Sequence, residues 1–89
     1  MWNTKEYNFG NSTTNVTLRY SFTHDGSKGV QEIEPLCNCT SAKLNGNSLD
    51  VAWNTPKNIV KSYQSTKVIM IVYDDGSIDD LTLKAYLVK

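Results

Sequence analysis

The chain has 89 residues, nine basic and nine acidic side chains, and one histidine. That length makes one domain, residues 1–89, with a small core, because a chain this short buries only about 60–65% of its unfolded surface. A formal net charge of zero excludes the basic footprint of a nucleic-acid binder and electrostatic docking on an anionic membrane.

The pattern is β throughout. Tyr7 and Phe9 mark a short first strand closed by Gly10-Asn11. Val16, Leu18, Tyr20 and Phe22 alternate with Thr17, Arg19, Ser21 and Thr23, the period of a strand with one buried face. Asp25-Gly26 supplies the positive φ of a tight turn within His24–Ser27. A strand follows from about Val30 to Leu36, and Pro35 places it at a sheet edge or a bend because proline cannot donate to a ladder.

Leu44-Asn45-Gly46-Asn47-Ser48 reads as the next turn. Leu49, Val51 and Trp53 then alternate with Asp50, Ala52 and Asn54. Thr55 to Tyr63 carries Pro56 and no period, and is expected as a loop. Val68, Ile69, Met70, Ile71 and Val72 run without a polar break, which places their strand centrally in its sheet or under a partner. Asp74-Asp75-Gly76-Ser77 turns the chain into a last strand, where Leu81, Leu83, Ala85 and Leu87 alternate with Thr82, Lys84, Tyr86 and Val88. Six or seven short strands with no helical period predict a β-sandwich, with a small barrel as the alternative. The expected core is Phe9, Val16, Leu18, Tyr20, Phe22, Ile33, Leu49, Val51, Trp53, Val68, Met70, Val72, Leu81, Leu83 and Leu87.

The order of these pieces resembles the bacterial DUF1573 domains. Tyr7-Asn8-Phe9-Gly10 opens the chain as an aromatic-x-Phe-Gly motif. Cys37-Asn38-Cys39-Thr40 follows, then a strand with a late aromatic and a terminal hairpin. The resemblance runs from Tyr7 to about Val88 and implies an immunoglobulin-like sandwich of about seven antiparallel strands, related to the ASH and PapD-like groups. The family usually has Gly where Asn38 stands, and it lends no established chemistry.

Cys37 and Cys39 are the residues with the most chemistry. In a strand, residues two apart lie about 6.5–7 Å apart on one face, at the limit of disulfide geometry, so a bond between them needs a bent backbone. Reduced structural thiols are the expectation. A redox pair and a metal site are the alternatives, although two thiols and the lone His24 fall short of a tetrahedral zinc set. Asp74, Asp75, Asp79 and Asp80 surround Gly76 without the closing Glu of a calcium loop, and read as a solvated turn. His24-Asp25 near Ser21 or Ser27 has no nucleophile elbow to support a triad. Three glycosylation sequons, beginning at Asn11, Asn15 and Asn38, are read as chance in an Asn/Thr-rich chain. No enzyme activity and no cofactor are expected.

No window holds 18 apolar residues, and the N-terminal residues have neither the basic nor the apolar region of a secretory leader. The function expected is therefore structural: a small virion protein of a tailed bacteriophage, such as a capsid decoration or head-associated protein. An extracellular or periplasmic DUF1573-type binding module is the alternative, with a Cys-x-Cys redox or metal-handling protein behind it. Ile69, Ile71 and Tyr73 are expected to form an outward apolar row, extended by Tyr86 and Val88. That row either docks on a larger protein such as a capsid subunit, or on a second copy, or lies under the loop carrying Ile59 and Val60.

Overall fold

The computed structural model describes all of residues 1–89 and contains seven strands and no helix. They are β1 (Glu6–Ser12), β2 (Thr17–Thr23), β3 (Val30–Pro35), β4 (Thr40–Asn45), β5 (Ser48–Asn54), β6 (Tyr63–Tyr73) and β7 (Ile78–Leu87). Two sheets pack together, one in the order β1-β7-β6-β3 and the other β2-β5-β4. The expected sandwich is therefore the observed fold. One detail differs: β1 pairs with β7 in parallel, so the strands are not all antiparallel.

The smaller sheet follows the alternation in the sequence. Leu18, Tyr20 and Phe22 lie opposite Trp53, Val51 and Leu49, and Ala42 and Leu44 on β4 extend that face. Trp53, Phe22 and Leu49 are completely buried. Residues 40–45 carry too little apolar period to announce β4. They are held by a two-residue turn at Gly46-Asn47, where Asn45 pairs with Ser48 and Gly46 has φ +58°. A glycine at the first central position is what a type II′ hairpin turn requires.

In the larger sheet β6 is central and β3, ending at Pro35, is an edge, both as expected. The hairpin of β6 and β7 is also present, but its register overturns one expectation. Tyr73 N–H donates to Ser77 O, and Gly76 N–H donates to Tyr73 O with Gly76 at φ +84°. That is a three-residue loop closed by a glycine bulge. It pairs Ile69 with Leu81 and Val72 with Ile78. A two-residue Asp-Gly loop instead pairs Met70 with Leu81 and turns every β6 side chain over. Ile69, Ile71 and Tyr73 are consequently core residues, 0–2% exposed, and not an outward row. Val68, Met70 and Val72, expected in the core, are only partly buried and take the outer face.

The core thus joins Phe22, Leu49, Val51 and Trp53 to Ile69, Ile71, Tyr73, Leu81, Leu83, Ala85 and Leu87. Phe9, Leu18, Tyr20 and Ile33 pack against it from partly buried positions, while Val16 is exposed on entry to β2. Ile59 reaches the core from the loop before β6, and Val60 beside it is 88% exposed. Trp2, which precedes any patterned segment, is buried against His24 and Tyr73. Its Nε1–H donates to the Tyr73 hydroxyl at 2.7 Å, and its ring lies 4.7 Å from that of His24.

Candidate interaction surface and disulfide turn

The alternation of β6 leaves Val68, Met70 and Val72 on the outside of the larger sheet. A solvent-facing strand row is normally polar, as Glu32 and Glu34 are on neighbouring β3. Val72 pairs with Ile78, which is 56% exposed, so the apolar row continues onto β7. Carboxylates rim it. Glu32 lies opposite Val72, Glu34 opposite Met70 on one side, and Asp80 opposite Met70 on the other. All three are exposed, and none takes part in an ion pair. Further along the face, Lys84 and Glu6 neutralise each other at 3.1 Å. Tyr86, 41% exposed, shares this face, and Val88 is exposed just beyond the strand. Of the five residues expected in the row, these two are at the surface and Ile69, Ile71 and Tyr73 are not.

Tyr73 has another role. Its hydroxyl donates to Asp79 Oδ2 at 2.6 Å while accepting from Trp2, and Lys5 Nζ holds Asp79 Oδ1 at 2.9 Å. Burial, and then the hydrogen bond to Asp79, push the Tyr73 phenol up to about 12. The hydrogen bonds from Tyr73 and Lys5 hold the Asp79 carboxyl below its ordinary value. Asp75 bonds Ser77 and lies 3.4 Å from Lys28, so the Asp-rich turn is divided between separate partners. No three His, Cys, Asp or Glu groups converge in a geometry for a metal ion.

Cys37 and Cys39 are disulfide-bonded, which corrects the expectation of reduced thiols. The physical reason is local. After Pro35 the chain leaves the strand, and Thr40 N–H donates to Cys37 O at 3.1 Å to close a turn. That bend brings the two Cα atoms to 5.2 Å, inside the usual disulfide range of about 4.4–6.8 Å. Cys39 packs against the core, and its backbone N–H donates to Cys37 Sγ at 3.2 Å. The turn is fastened on both sides, by Leu36 N–H to Val68 O and Asn54 N–H to Cys39 O. Beside the sulfurs is a cleft of about 180 Å³ walled by Trp53, Pro56 and Tyr63, with Lys67 as its one charged residue. The Trp53 Nε1–H is buried without an acceptor.

The smaller sheet carries a broader depression of about 430 Å³ on its outer surface, floored by Ala52 and lined by Arg19, Ser21, Ser41, Lys43 and Asp50. Hydrogen bonds from Ser21, Asn45 and Ser48 hold the Asp50 carboxyl below its ordinary value. Asp50 is occupied by these three donors while Arg19, Ser41 and Lys43 stand exposed, so the depression has the character of a solvated sheet face.

No helix is long and apolar enough to cross a membrane. No protein-family model matches the chain, and no curated protein is significantly similar to it.

Proposed function

We propose that the protein is a non-enzymatic docking module that binds a larger structural protein through the outer face of β3, β6 and β7. The carrying observation is the row Val68, Met70, Val72 and Ile78, apolar where water is expected and rimmed by the unpaired carboxylates of Glu32, Glu34 and Asp80. A partly exposed apolar row with a charged rim has the character of an interaction surface. Charge complementarity selects the partner: an apolar ridge flanked by lysine or arginine. The setting we infer is the particle of a tailed bacteriophage, with a capsid subunit as the partner. The DUF1573-like resemblance belongs to the same proposal, since a sandwich without a catalytic centre serves as a contact unit.

The test is co-purification with particles. Tagged wild-type protein and the Met70→Lys and Glu34→Lys variants are produced during particle assembly in the source culture, and particles are banded on a density gradient. Wild type is expected in the particle band at fixed stoichiometry, with both variants folded but left in the free fraction. Wild type confined to the free fraction, or Met70→Lys retained on particles, overturns the proposal.

A further inference from the structure

Beyond docking, and independently of it, we propose that Cys37 and Cys39 form a reversible thiol–disulfide exchange site. The partner is a protein dithiol or disulfide, or glutathione. Three features of the turn point to exchange. First, the backbone bonds that fasten it (Leu36 to Val68, Thr40 to Cys37 and Asn54 to Cys39) do not pass through the sulfurs, so reduction leaves the two thiols side by side. Second, the sulfurs differ. Cys39 is packed against the core, whereas Cys37 Sγ accepts the Cys39 N–H at 3.2 Å, a contact that stabilises negative charge on Cys37. Third, both cysteines border a cleft with an apolar wall and the positive charge of Lys67, next to Leu36, which is 59% exposed. A partner's apolar segment can lie there while its sulfur meets Cys37.

The roles follow from that asymmetry. In the reduced protein the Cys37 thiolate attacks one sulfur of the partner's disulfide. The partner's S–S bond breaks, its second sulfur leaves as a thiolate and takes a proton from solvent, and Cys37 is joined to the partner as a mixed disulfide. Cys39 then loses its proton to solvent and attacks Cys37 Sγ. The Cys37–Cys39 bond forms, and the partner's first sulfur leaves as a thiolate and is protonated. Two electrons pass from the pair to the partner's disulfide. The reverse sequence, driven by a dithiol, restores the reduced pair.

The experiment uses the full chain in glutathione buffers of graded redox ratio, with alkylation and mass spectrometry for the thiols and circular dichroism for the fold. The pair is expected to pass reversibly between bonded and reduced states with the sandwich intact in both. With oxidised glutathione, the Cys39→Ser variant is expected to acquire the mixed disulfide at Cys37 about tenfold faster than Cys37→Ser acquires it at Cys39, reflecting the more stabilised thiolate. A bond that millimolar glutathione leaves untouched, reduction that unfolds the domain, or equal rates at the two cysteines overturns the proposal. Met70→Lys is expected to exchange like wild type, so failure here and failure of the docking surface are separable.

Discussion

Trp53 joins the two sheets: its ring is completely buried and 6.3 Å from that of Phe9, while Lys67 lies 5.9 Å above it. Trp53→Ala should cost about 3–5 kcal/mol, read by urea denaturation, which approaches the whole stability of a domain this size. Its burial was legible from the alternation of β5. The burial of Trp2 was not, because it depends on a phenol 71 residues away. Tyr73→Phe removes the acceptor of Trp2 and a donor to Asp79, and should cost about 1–3 kcal/mol. It should also change the alkaline limb. The Tyr73 phenol is raised to about 12 from an ordinary 10.0, so the unfolded chain loses its proton first. The stability involved is complete below pH 10 and is lost as pH rises toward 12. Urea midpoints measured across that window should fall in wild type and fall less in Tyr73→Phe. At the acid end Asp79 has the opposite sign. Its depressed carboxyl favours folding above the ordinary carboxylate value, and that contribution disappears as pH drops through its folded value.

For the strands, composition was enough to set type but not phase. β6 is apolar on both sides, so either row can face inward on pattern alone. The choice is made in the turn, where Asp74-Asp75-Gly76 forms a three-residue loop. Gly76 at φ +84° is the pivot, and Gly76→Val should cost at least about 1–2 kcal/mol from left-handed backbone strain, measured as a lower urea midpoint. The same reasoning explains why Cys37 and Cys39 were misjudged. Spacing two apart in a strand argued against a bond, but Pro35 ends the strand two residues before Cys37 and the chain bends there. β4 was not legible at all, since its residues become a strand only by pairing along β5.

At the scale of the whole molecule, the architecture was legible, and the presence of an outer apolar row was legible but not its residues. An apolar outer row exists, but on the opposite parity. Ile71→Lys should therefore unfold the domain, whereas Met70→Lys should leave its melting curve close to wild type, a contrast that circular dichroism resolves directly. The disulfide closes a ring of only three residues, for which chain entropy supplies about 1.6 kcal/mol, so the double Cys→Ser variant should stay folded with a loss of about 1–2 kcal/mol. The pairing of β1 with β7 has a mechanical consequence. The two strands run in parallel through Glu6–Thr82 and Ser12–Leu87, and the ladder is extended by Thr82 N–H to Lys5 O and Val88 N–H to Ser12 O. The molecule is 43 Å long and about half as wide. Tension applied between Lys5 and Val88 pulls the two strands past each other and loads the whole ladder at once. Tension between Thr40 and Asn54 opens the β4–β5 hairpin one bond at a time. Single-molecule pulling should need the greater force in the first direction, which makes the domain a link able to carry strain between whatever is attached to its first and last strands.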